Sequence, residues 1–300
     1  MLSLIAGAPP AYAAVCITLA WILSLLCLGY LGRSLRVAID WHGFAITPWA
    51  LDITIGIVLN ASYLVVRSFL AKLIPWIPPV LEFELFVFFF LYHLLSRKNN
   101  LSDTKARAFS VAYFLFVVIS IFANSYHQVF TLLPMSSDPA ILAGLTDLMR
   151  FNGYITNTIS ASNTNLPSYP HGIQILSWAV GNPLLLTYTI ISTWPGLTVT
   201  LSAFMLFEAL QLKVKLTRLN LLALASVFLF WRVFVFTFEA SNIWVYLEGK
   251  SKVSVHFLVV LIGMCLARVL TAKTESSRHR VAVILLSLTT VASLFITFVN

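Results

Sequence analysis

Apolar runs of about eighteen residues or more recur along the whole chain, and no water-soluble core has room for so many of them. The pattern restricts the fold to an all-α polytopic membrane bundle. A transmembrane barrel would show alternating segments of about ten residues, and an interfacial amphipathic anchor would not repeat across the length. Charged residues are only 10% of the 300, too few to solvate the surface of a globule of this size.

Apolar windows between polar breaks place helices near 11–32, 47–66, 77–95, 108–125, 195–212, 219–238, 253–271 and 281–299. Met1 to Pro10 holds no basic residue and the run from Ala11 to Gly32 is long enough to span, so it reads as a first transmembrane helix and not as a cleaved leader. The interval 171–194 is apolar but is interrupted at Gly181-Asn182-Pro183 and ended by Trp194-Pro195-Gly196. Neither half reaches the roughly twenty residues needed to cross. Basic residues decide how to count it. With the N-terminus outside and 171–194 not crossing, the inner loops collect Arg33 and Arg36, Arg97 to Arg107, Lys213 to Arg218, and Lys273 to Arg280. The outer side holds Arg67, Lys72, Arg150, Lys250 and Lys252, and counting 171–194 as a crossing erases the asymmetry. The expected architecture is one polytopic domain, 1–300, of about eight spans, with an outer loop at 126–172 and a re-entrant or juxtamembrane hairpin at 173–194. Irregular backbone at membrane depth needs a covering of protein or a water-filled cavity, so the hairpin is expected to line a pocket.

Ser136 to Gly172 is a polar island in this apolar chain, and any chemistry is expected there first. Ser137-Asp138-Pro139 starts a helix, with Asp138 capping backbone N–H groups and Pro139 at the first helical position. Ile141, Leu142, Leu145, Leu148 and Met149 repeat at helical spacing and Gly153 is placed to end the helix. The reading is an amphipathic helix on the outer surface, its polar side carrying Thr146, Asp147 and Arg150. Glu82, Glu84, Asp138, Arg150, His171 and Glu239 fall on the same outer side and form a carboxylate-lined cavity.

The order of these features resembles a family. An Asp beside a span, an amphipathic helix ending in Arg150-Phe151-Asn152-Gly153-Tyr154-Ile155, a polar stretch, and Tyr169-Pro170-His171-Gly172 leading into Ile173-Gln174-Ile175-Leu176 is similar to the first large outer loop of polyprenol-dependent type-C (GT-C) integral membrane glycosyltransferases. The resemblance covers about Asp138 to Gly181. It implies sugar transfer from a polyprenyl-phosphate carrier to an acceptor on the extracytoplasmic face. Asp138 would then take the acceptor's proton, and Arg150, His171 and Lys250 would meet the lipid phosphate, with Tyr169 and Glu239 completing the substrate site.

Each residue also has a plainer role. Asp138 suits a cap, Arg150 suits a helix C-terminus, and His171 suits a turn. Arg232, midway through an apolar run, requires a partner. Asp52 and Glu208 lie near inner span ends and read as interfacial. Trp41, Trp49, Trp76 and Trp194 read as interfacial anchors. Cys16, Cys27 and Cys265 fall in apolar segments without metal-ligand spacing and read as packing residues. The net charge of +8 sits mostly at helix ends, which orients a membrane protein and excludes nucleic acid as a partner. No phosphate loop, dinucleotide fingerprint or HExxH occurs, so neither metal nor cofactor is expected. The expected partners are membrane lipid, the polyprenyl-phosphate sugar donor and other membrane proteins. The location is the plasma membrane of a bacterium or the endoplasmic reticulum of a eukaryote. A transporter or flippase for a lipid-linked or amphiphilic substrate is the alternative function, favoured by broken helices and intramembrane charge. A non-catalytic membrane subunit is the third.

Overall fold

The computed structural model describes residues 10–39, 41–44, 46–74, 76–81, 84–87, 104–124, 137–153, 171–181, 185, 187–211, 256–271 and 277–298. These residues are mostly helical and contain no strand. The chain is all-α over this extent. The long helices are α1 (Pro10–Ala38), α2 (Trp49–Leu73), α3 (Thr104–Asn124), α4 (Ser137–Asn152), α5 (His171–Val180), α6 (Thr187–Gln211), α7 (His256–Thr271) and α8 (Ser277–Phe298). Two segments, Ala14–Ala38 and Trp49–Leu73, are long and apolar enough to cross a membrane. Shorter apolar helical stretches follow at Phe109–Ala123, Gly196–Ala209 and Phe257–Leu270. The expected segment 219–238, with Arg232, and most of 77–95 lie outside the described residues.

An antiparallel hairpin of α1 and α2 organises the core. Gly32 faces Asp52 and Gly56, and Gly56 faces Leu28, so the two backbones touch where no side chain stands between them. One end of the hairpin is closed by charge. Arg36 Nε and Nη2 meet Asp52 Oδ1 and Oδ2 at 2.5 and 3.2 Å, and Arg36 Nη1 donates to Trp41 O at 2.9 Å. Beside this pair Glu208, near the end of α6, accepts from the Ala50 and Leu51 N–H groups at 2.9 Å each and from the Tyr113 hydroxyl at 3.0 Å. A carboxylate on the unpaired N–H groups of a helix start satisfies donors that water cannot reach.

Several sequence expectations change here. Asp52 and Glu208 are fully buried inside protein and do not face solvent. Arg33, Arg36, Arg67 and Lys72 belong to helices and not to loops, because α1 and α2 run past the expected ends at 32 and 66. Arg36 is held inside by Asp52, so it no longer counts as a solvated loop charge. Trp41, Trp49 and Trp194 are buried core residues, Trp49 packing at a tilt on Phe114 and donating to Ser110 O, while Trp194 meets Phe257 edge-on. Only Trp76 among the four is exposed, as an anchor would be. Helix α6 passes through Pro195, where the sequence suggested an end. A mid-helix proline removes one backbone bond at a cost of about 3 kcal/mol, which the complete burial of Ile191, Trp194 and Leu197 around it offsets.

Candidate functional site

The end of the bundle opposite Arg36 and Asp52 gathers α4, the starts of α5 and α6, and the turn after α2. Gly153 ends α4 in the left-handed region (φ 65°), its N–H bonding Met149 O at 2.9 Å, and its carbonyl accepts from Val80 N at 2.8 Å. A Cβ there would lie 2.5 Å from Pro79 Cβ and 2.9 Å from Val80 N, so both space and backbone angle demand glycine. On the last turn of α4, Arg150 Nη1 donates to Leu185 O at 3.2 Å and to Thr187 Oγ1, while Thr187 Oγ1 donates to Asp147 Oδ1. Asp147 and Arg150 therefore fix the start of α6 against α4. Nearby in the fold, Arg67 meets Glu84 through Nε and Nη2, each at 3.2 Å, and the Tyr63 hydroxyl donates to Glu84 at 2.7 Å.

The inward face of helix α4 shares Met149 with the expected apolar stripe but not Leu148. Ala143, Thr146, Met149 and Gly153 are buried, whereas Leu148 and Phe151 are exposed, Phe151 to 90%. Thr146 and Arg150, expected on a solvated polar side, pack against protein, because α4 lies on α5 and α6 and uses small and polar residues to reach them.

Below this cap, α5 is a short buried helix packed among α1, α2, α4, α6 and α8. It ends halfway along the α1–α2 hairpin. Its terminal carbonyls are taken by side chains from the middle of those helices, Asn60 Nδ2 donating to Ala179 O at 2.8 Å and Ser24 Oγ donating to Val180 O. Ser24 and Asn60 are 2% and 1% exposed, so both bonds are shielded from bulk solvent. Asn60→Leu should therefore destabilise by roughly 1–3 kcal/mol by stranding a buried carbonyl, and Ser24→Ala by somewhat less. Thermal unfolding of the purified protein reads both; an unchanged midpoint in Asn60→Leu would show that the α5 terminus is not held this way.

Family models, curated proteins and solved structures give no match to this chain.

The residues expected to act on substrate are placed as follows. Asp138 stands in the first turn of α4, inside the helix, with its side chain outside the description. Arg150 is engaged with Leu185, Thr187 and Asp147. His171 is the first residue of α5, its side chain likewise undescribed. Tyr169, Glu239, Lys250 and Glu82 lie outside the described residues. Arg150, α4 and the α5–α6 junction come together; the remainder of the expected site is not placed. Among the described residues no three His, Cys, Asp or Glu side chains converge as metal ligands. Thr187, Gln174, Ser177, Ser24 and Asn60 were missed. Asn60 and Gln174 carried a signal, since each is a lone amide in an otherwise apolar run.

Proposed function

We propose that the chain is a multi-pass membrane protein of about eight spans with a glycosyltransferase-like function, moving a sugar from a polyprenyl-phosphate carrier to an acceptor on the extracytoplasmic face. One observation carries the reading: a helix of ten residues, α5, stops halfway along two span-length helices beneath a cap made by α4. A helix that ends at mid-depth is tolerated only where protein or a polar cavity covers its end, and such breaks accompany substrate sites in membrane proteins. The cap is the segment that carries Asp138. In this reading Asp138 takes the proton of the acceptor hydroxyl as it attacks the anomeric carbon, and the polyprenyl phosphate departs toward outer-side cations. His171, Lys250 and Arg150 are the cations assigned to it.

The same half-helix also favours a flippase or transporter for a lipid-linked substrate, since interrupted helices at mid-depth serve alternating access. A transfer assay separates the two. Membranes containing the wild-type chain or Asp138→Asn receive a panel of radiolabelled polyprenyl-phosphate sugars. Label should pass to a new acceptor with wild type and fall at least a hundredfold with Asp138→Asn at equal expression, the range for loss of a general base. Movement of the lipid-linked sugar across the bilayer without transfer would establish the transporter instead.

A further inference from the structure

One face of α5 holds buried polar atoms that the hydrogen bonds of the core do not account for. Gln174, Ser177 and Trp178 are at most 1% exposed. Both amide atoms of Gln174, Ser177 Oγ and Trp178 Nε1 have no hydrogen-bond partner among the described residues. At about 100° per residue, positions 174, 177, 178 and 181 fall within one arc of roughly 100°. Gly181 continues the stripe without a side chain, and a Cβ there would stand 2.9 Å from Ile190 Cδ1 of α6. The stripe therefore runs from the cap toward the mid-depth end of the helix, between α5 and α6 at its lower limit.

Most buried polar side-chain atoms in folded proteins are paired, and although single atoms such as Trp21 Nε1 and Ser68 Oγ are also left over elsewhere in this core, four on one face of a single helix form a cluster that a bound polar group would satisfy. Side chains three residues apart on a helix stand about 5–6 Å apart at Cβ, a separation that one bridging oxygen spans. The atoms themselves select its chemistry. Gln174 offers an acceptor and two donors, Ser177 either, and Trp178 a donor only. A phosphate, which only accepts, would leave Gln174 Oε1 unpaired; a cation would leave the amide and indole N–H groups unpaired. A hydroxyl both donates and accepts and satisfies the mixture. Apart from His171 at its first position, one turn above Gln174, helix α5 contains no ionisable side chain to balance a ligand's charge, and the described charges of α4, Asp147 and Arg150, are already engaged.

We infer that the Gln174–Ser177–Trp178 face of α5 is a binding subsite for a neutral polyhydroxyl group, a sugar ring presented without its phosphate. That the sugar arrives on a lipid carrier rests on the function proposed above; the selectivity for neutral hydroxyls does not. Trp178 adds an apolar ring edge of the kind that small-molecule sites combine with a few placed polar groups.

The test measures binding, not transfer. The full chain in lipid nanodiscs is titrated with octyl β-glucoside below its micellar concentration. Octyl phosphate and a sugar-free octyl tetraethylene glycol ether are run in parallel, and the unfolding midpoint is the readout. The glucoside alone should raise the midpoint saturably. Its apparent Kd should weaken at least tenfold in Ser177→Ala and in Gln174→Leu. Gln174→Leu replaces an unpaired amide with an apolar group of similar size and should fold; should it not, Ser177→Ala, a smaller change, decides alone. A glucoside response no greater than that of the ether overturns the proposal and leaves a seam occupied by water. A response to octyl phosphate alone overturns it in favour of an anion, and a glucoside response that survives the variants moves the site elsewhere. Saturable binding with no sugar transfer from any donor would sink the glycosyltransferase reading and leave the subsite standing.

Discussion

Alanine at Gly32 or Gly56 is expected to remove the folded protein from detergent extracts. A Cβ on Gly32 would lie 1.7 Å from Asp52 O and 2.7 Å from its carbonyl carbon, and one on Gly56 would lie 2.1 Å from Leu28 O. The obstructing atoms are backbone, so no rotamer change relieves the overlap. The two helices would have to part by more than an ångström along their length. That movement opens the Arg36–Asp52 pair at one end and withdraws Ser24 and Asn60 from the α5 terminus at mid-height. Overpacking that side chains can absorb costs about 1–3 kcal/mol; this one should exceed that range and consume much of the stability of a typical domain. Two comparisons isolate the cause. Gly29→Ala meets the Trp49 ring at 2.8 Å, a side chain with some freedom, and should be milder. Gly263→Ala, with nothing within 4 Å of its Cβ, should stabilise by roughly 0.5–1 kcal/mol through helix propensity. Size-exclusion yield and unfolding midpoints order the four variants; a wild-type midpoint in Gly32→Ala would mean that α1 and α2 do not touch at this register.

The helical class and most helix positions were legible in the sequence because apolar run length is a local property. Six of the expected segments coincide in position with α1, α2, α3, the later part of α6, α7 and α8. The helix stop at Gly153 was legible for the same reason, since the signal and the structure it forms lie in adjacent residues. What could not be read was the pairing of distant groups. Arg36 with Asp52, and Glu208 with the N–H groups of Ala50 and Leu51, join residues far apart in the chain, and each partner alone looks like an ordinary charge at a span end. The face of α4 was legible only in part: Met149 of the apolar stripe is buried as its polarity suggests, but amphipathicity could not show that Ala143, Thr146 and Gly153 also turn toward its neighbours. The continuation of α6 through Pro195 was hidden because local propensity opposes it and only tertiary burial overrides it.

The buried ion pair yields the second large effect. Arg36→Met and Asp52→Leu should each destabilise by about 3–5 kcal/mol, because each leaves an uncompensated charge in a site from which water is excluded. Asp52 is fully buried and the Arg36 side chain is 8% exposed. Removing Arg36 is the worse case. At the first turn of α2 Asp52 would then face the carboxylate of Glu208 with Arg33 in place of Arg36 to offset its charge, and Trp41 O would lose its donor. Combining Arg36→Met with Asp52→Leu should recover most of the loss, since two apolar side chains of similar volume need no hydration. Recovery should stop about 1–3 kcal/mol short of wild type, the cost of the stranded Trp41 carbonyl. A double-mutant cycle on unfolding free energies gives the coupling directly. Additive losses would show that the two side chains do not meet, and with that the Gly32–Gly56 register, which places Arg36 opposite the start of α2, would fail as well.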